Sequence, residues 1–247
     1  MFVGIGTVTN VAAVVAGSGL GLLVGHRLGL NVRTTVTSAL GLVTLLIAGQ
    51  SAVAVSDGAL TAAVGDSAPM LIVLGSLVLG GIVGSVLRLE QRIEGFGGWL
   101  QTRLSSGDDD ARDRFVEGFV ISSLVFCIGP LTILGSLNEG LGNGADQLLL
   151  KSTLDAFAAL AFAASFGIGV MASAISVGVI QGSLTVLGAL LGSFLPDAHL
   201  SALTATGGLI LIGVAMRLLD LRTFAVADLL PALVIAPILC QIVVVAR

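Results

Sequence analysis

Tyrosine is absent from the 247 residues, tryptophan occurs once, at Trp99, and charged residues make up only 11% of the chain. A soluble domain carries about 25% charged residues, so less than half the usual supply for a wet surface is available. No basic block suggests nucleic acid as a partner. The two cysteines, Cys127 and Cys240, lie far apart within apolar runs, which argues against a disulfide framework or a cysteine-rich metal site. The two histidines, His26 and His199, fall near the ends of apolar stretches, so neither a metal site nor a cofactor is expected. Paired carboxylates on one helix, a His-rich motif and a Ser/His arrangement are also missing; no catalytic residue is assigned and an enzyme is not expected. The 34 glycines show no Gly-x-y period, which excludes collagen.

What is present is apolar. Hydrophobic residues make up 55% of the chain and the mean hydropathy is +1.08, values that define a polytopic membrane protein with the lipid bilayer as its first partner. Glycine at this density fits closely packed membrane helices, where small residues let backbones approach. A spanning helix needs roughly 20 apolar residues. Eight stretches qualify, at about 4–26, 34–55, 69–88, 115–137, 150–170, 174–195, 201–219 and 228–246. Residues 150–195 as one helix would be about 69 Å long, too long for one crossing. The GIGVMASAISVG stretch (167–178) supplies the break. The opening MFVGIGTVTNVAAVVAG lacks a basic n-region and reads as a retained first span. The expected fold is therefore all-α, a transmembrane helical bundle forming one integral membrane domain over 1–247.

Arginine placement orients the spans. Arg27 and Arg33 flank the first connection, Arg88, Arg92, Arg103, Arg112 and Arg114 crowd the third, and Arg217 and Arg222 sit at the seventh. The second connection, SDGALTAAVGDSAP, has none, and the fourth, NEGLGNGADQ, is acidic. Eight spans put every arginine-rich connection on the cytoplasmic side of a bacterial inner membrane, with both termini outside; seven would put 217–222 on the wrong side. Arg247 is the exception. Within the third connection, Leu89, Ile93, Phe96, Leu100 and Leu104 recur on one helical face. This segment, 89–114, reads either as an amphipathic helix in the cytoplasmic interface or as a soluble extension of span three. SSGDDDARD (105–113) reads as a solvated linker.

The first three and last three spans resemble each other. Asn10 is followed at matching intervals by Gly17 and Gly21, as Gln181 is by Gly188 and Gly192. Ser38-Ala39-Leu40-Gly41 in span two corresponds to Thr204-Ala205-Thr206-Gly207 in span seven. The offset of five helices is odd, so spans one to three and six to eight would be inverted repeats, with substrate sites near the midplane where they meet.

Polar side chains inside hydrocarbon are costly and face the bundle interior or a wet cavity. Asn10 and Gln181, matched across the repeat, read either as interhelical glue or as paired ligands. Asp155, with Lys151 four residues before it, is either half of an interfacial ion pair or a proton- or cation-coordinating carboxylate. Glu117 is either an anchor at the cytoplasmic headgroups beside Arg112 and Arg114 or a functional carboxylate. Glu139 marks the outer interface. Gln50, Gln241, Thr7, Ser122, Ser123, Thr132, Ser136, Ser183 and Thr185 are further polar candidates, Ser183 and Thr185 as ligands beside Gln181. Gly129-Pro130 interrupts the fourth span, because proline removes a backbone donor and clashes with the previous turn. A broken helix there offers carbonyls and a helix end to an ion.

The segments EGFVISSLVFCIGPLTILGSLNEGL (117–141), KSTLDAF (151–157), GIGVMASAISVGVIQGSLT (167–185), LTATGG (203–208), LLPALVIAP (229–237) and GTVTNVAAVVAGSGLGLLVG (6–25) are similar to a bacterial family of polytopic membrane proteins, domain of unknown function 554. The resemblance covers essentially the whole chain. It implies a membrane protein with transport as the suggested activity, and supplies no substrate and no binding residues. The expected function is a transporter or channel for a small solute or ion, with a midplane site at the repeat interface. The alternative is a non-transporting scaffold or sensor partner acting through the arginine-rich connection 88–114. Glycine-rich faces left over after packing would suit a homodimer.

Overall fold

A computed structural model describes residues 3–25, 29–104, 109–127, 130–191, 196–222 and 225–247. Within them the chain is helical, with no strand. In order come α1 (Ile5–Gly25), α2 (Leu30–Ala52), a 3-10 turn at Val53–Ser56, α3 (Gly58–Val64), α4 (Ala68–Leu87) and α5 (Leu89–Leu104). Then follow α6 (Asp109–Cys127), α7 (Pro130–Gly140), α8 (Asp146–Phe166), α9 (Gly169–Leu191), α10 (Asp197–Leu218), a 3-10 turn at Ala227–Leu229 and α11 (Ala232–Ala246). Among the described residues seven helices are long and apolar enough to cross a membrane, or eight when the bent pair α6/α7 is counted as one span.

Local chemistry explains most boundaries. Helix α6 ends at Cys127 and α7 opens on Pro130, with a 72° bend between them. A proline suits the first helical position, where its missing N–H would have no partner in any case. Helix α8 stops where Gly167 takes φ +85°, its N–H closing on the carbonyl of Ala163 at 2.9 Å. A left-handed conformation of this kind favours glycine. Helix α5 forms where the periodicity places it.

Two expectations need correction. The second connection, 56–69, contains helix α3 rather than loop alone. The Asp57 carboxylate accepts from the N–H of Ala59 (2.9 Å) and of Leu60 (3.4 Å), and Leu60 and Val64, one turn apart, are buried. The turn residues of SDG therefore act as a helix cap. Residues 109–113, expected in a linker, are the first turn and more of α6. The fourth span, placed over 115–137 by apolar length, is divided between α6 and α7, as the Gly129-Pro130 interruption predicts.

The chain separates into two compact units, Met1–Gly41 with Glu94–Phe194 and Leu42–Ile93 with Leu195–Arg247. In the first, α1 runs parallel to α8. A Cβ built on Gly17, Gly21 or Gly25 would lie 2.2, 2.2 and 2.9 Å from the carbonyl oxygens of Ala156, Leu160 and Ala164. The glycine stripe thus lets two backbones touch over three turns, which no larger residue permits. Phe126 and Phe162 fill the adjacent core, ring centroids 6.0 Å apart. In the second unit Gly80 and Gly84 of α4 meet the backbone of Ala232 and Asp228, and Leu60, Val64, Ile72, Ala202, Ala236 and Cys240 form the core.

Candidate functional site

Many of the buried polar residues of the first unit, though not Ser18, Ser122 or Ser173, collect where α1 and α8 begin and α7 and α9 end. Thr7, Asn10 and Val11 lie on the face of α1 that meets α9, and Gly178, Gln181 and Thr185 on the opposing face. The hydroxyls of Thr7 and Thr185 are 3.3 Å apart, and Gly178 packs against Val11. Those two contacts fix an antiparallel register that brings Asn10 and Gln181 to one level.

At the outer layer of this group Glu139, only 3% exposed, accepts from the N–H of Gly6 at 2.5 Å and from the Thr185 hydroxyl at 3.5 Å. A carboxylate is favoured at a helix N-terminus, where free N–H groups and the helix dipole meet it. Beneath it, Asn10 Nδ2 donates to Asp155 Oδ2 at 2.9 Å, and Lys151 Nζ forms an ion pair with the same oxygen. Lys151 and Asp155 are 5% and 7% exposed; Asn10 and Gln181 are fully buried. An ionised carboxylate only accepts, so the amide must turn its NH₂ to Asp155 and its carbonyl away. Asn10 Oδ1, both polar atoms of Gln181 and the hydroxyls of Ser18 and Ser136 have no hydrogen-bond partner among the described residues. Buried polar atoms are nearly always paired. Asn10 Oδ1 and both polar atoms of Gln181 fall at one level and mark a place for something polar or cationic, while Ser18, Ser165 and His199 Nδ1, also without a partner among the described residues, lie elsewhere. Asp155 lies nine residues into α8, about 14 Å along it.

The expected residues divide. Asn10, Gln181, Asp155 and Thr185 come together. Glu117 does not: it is half-buried on α6, where neighbouring Gly118 packs on Phe166 and the Phe115 carbonyl on Gly169. That end of α8 is about 16 Å from Asp155, because eleven helical residues intervene. Arg114 turns to the Ser165 carbonyl (3.4 Å), and Arg112 is exposed. Ser183 is exposed on the far side of α9 and takes no part, since two residues along a helix from Gln181 is a turn of about 200°. Gly129 lies outside the described residues, as does the side chain of Pro130. Cys127, the last residue of α6, is buried.

Two members escaped the sequence reading. Glu139 and Lys151 were expected at interfaces and are buried. The signal for Glu139 was present: Thr132, Ser136 and Glu139 stand four and three residues apart, a polar stripe on one face of α7. Of the other amides, Gln50 is exposed, and Gln241 Oε1 accepts from His199 Nε2 at 2.8 Å in the second unit.

A helical bundle of apolar spans that buries carboxylates, a lysine and amides in one of its units is an integral membrane protein. Residues 5–241 match the family model described as protein of unknown function DUF554, and the chain belongs to that family. It is 30% identical over 233 residues, 94% of each chain, to the uncharacterized protein YqgA of Escherichia coli K12. It is also 26% identical over 238 residues, 96% of each chain, to the uncharacterized membrane protein YdfK of Bacillus subtilis 168. No solved structure matches the chain.

Proposed function

We propose that this protein carries a small solute or ion across the bacterial inner membrane through the group formed by Asn10, Asp155, Lys151, Gln181, Thr185 and Glu139. The observation that carries the reading is the pair of fully buried amides with unpartnered acceptors, Asn10 Oδ1 and Gln181 Oε1, level with a buried carboxylate. A purely structural core would satisfy these atoms or replace them with methyl groups.

The inverted-repeat reading gains support from packing inside each unit. Asn10 and Gln181, equivalent in the proposed repeat, lie at one level of an antiparallel pair, as a two-fold axis in the membrane plane requires. Seven residues later, Gly17 meets the Ala156 carbonyl and Gly188 meets the Leu137 carbonyl. In the second unit α4 and α11 are antiparallel too, Gly80 against Ala232 and Gly84 against Asp228. On this reading α1 and α8 enter from the outer side and both termini face out.

Purified protein in liposomes, assayed for flux of H⁺, Na⁺, K⁺ and small anions, tests the proposal. A flux lost in Asn10→Ala and in Gln181→Leu is expected. A clear flux that neither substitution changes would exclude this site.

A further inference from the structure

We infer that the solute is a monovalent cation exchanged for a proton, and that Lys151 is the exchanging group: its ammonium is a tethered cation that occupies Asp155 until the transported ion replaces it. This rests on the transport reading and names its substrate class and coupling.

The argument begins with the acceptors. Asp155 Oδ2 is shared by Lys151 and Asn10, while Asn10 Oδ1 and Gln181 Oε1 find no donor. Hard cations take oxygen ligands, and carboxylate plus amide carbonyls is such a set. In the closed group that role is filled by Lys151, held on the same helical face as Asp155 by four-residue spacing. A second positive charge cannot join a buried, already neutral pair without a large desolvation cost. It can enter if the ammonium gives up a proton. The N–H bond breaks, the electron pair stays on Nζ, the proton goes to bulk water, and the incoming ion takes its place on Asp155, so one positive charge enters as one leaves. A lysine suits this role because its charge is readily lost when buried, unlike that of arginine.

The groups able to compete for the proton are few. On the helices packed against α8, Glu139 of α7 reaches Thr185 in the group, while α6 carries the buried Cys127 at its end and Glu117 about three turns away. Helices α1 and α9 carry no titratable residue at all. Asp146, at the start of α8, is exposed.

The test is titration of the detergent-solubilised full chain with NaCl and, separately, KCl, in weak buffer with a pH-indicating dye. About one proton released per cation bound is expected, with the apparent Kd falling about tenfold per pH unit, as ligand binding that displaces a proton demands. Lys151→Arg, which keeps the charge and cannot release it, is expected to bind at least tenfold more weakly and release none. Cys127→Ala, outside the proposed transport group, is expected to keep the released proton. Cation binding by the unsubstituted chain without proton release overturns the exchange while leaving transport standing. Proton release that survives Lys151→Arg, or disappears in Cys127→Ala, moves its source and overturns the inference. Absence of both binding and flux removes the transport reading as well.

Discussion

The two units are packed by the same device and filled with different chemistry. In the first, Gly17, Gly21 and Gly25 press α1 against α8. In the second, Gly80 and Gly84 press α4 against the start of α11 and the turn before it. Around these contacts the second unit buries an apolar core with a hydroxyl pair, Ser76 and Thr206, at 3.2 Å. Its charges sit at the margin. Glu90 receives Arg217 at 3.0 Å and the Ala227 N–H at 2.7 Å, while Asp228 accepts from the Glu90 N–H at 2.9 Å, a reciprocal cap that ties the start of α5 to the turn before α11. The first unit instead places Asp155, Lys151, Glu139 and two amides in its centre. The second unit demonstrates that this glycine-backed packing does not require buried charge. The charge in the first unit therefore needs another reason, and desolvation makes that reason expensive.

Substitutions can break this comparison, beginning with the shared device. Gly17→Leu in the first unit and Gly84→Leu in the second are each expected to abolish a monodisperse, folded protein in size-exclusion chromatography. Their new Cβ atoms would lie 2.2 and 1.9 Å from carbonyl oxygens that cannot move. Next in size is Lys151→Met alone, which leaves a buried unpaired carboxylate and is expected to lower stability by about 3–5 kcal/mol in thermal or denaturant unfolding. The double change Lys151→Met with Asp155→Leu is expected to recover most of that loss and to abolish flux, separating stability from function. Recovery of both would mean the pair is merely structural.

Smaller effects separate the units further. Glu90→Ala removes two hydrogen-bonding roles at the margin of the second unit and is expected to lower stability by about 1–3 kcal/mol with flux retained. Glu139→Gln keeps the shape and one acceptor in the first unit, with an expected loss of about 1 kcal/mol from the weakened cap at Gly6. Least of all, Gly182→Ala, where a Cβ meets nothing within 4 Å, is expected to change melting temperature little or raise it slightly.

Much of the fold could be read from residue order. Apolar length located the spans, Gly129-Pro130 the break in the fourth, Gly167 the turn between α8 and α9, and the leucine periodicity α5. Asn10, Gln181 and Asp155 stood out because amides and carboxylates are rare in hydrocarbon. Glu139 and Lys151 were misjudged for the opposite reason: near the ends of apolar runs, a charge has an innocent explanation in the headgroups. Glu117 and Ser183 lie away from the group, since sequence separation says little about which face of a helix turns inward or which end of a neighbour it meets.

By itself, then, the sequence determined that this is a helical membrane protein with a few deeply placed polar groups, because hydrophobic length and composition are local properties of a chain. Only the tertiary structure decided that Asn10 reaches Asp155, that Glu139 caps α1, and that Gln181 lies level with Asn10. Those pairings join residues more than a hundred positions apart, and they depend on helix rotation and register that glycine contacts fix and composition does not encode.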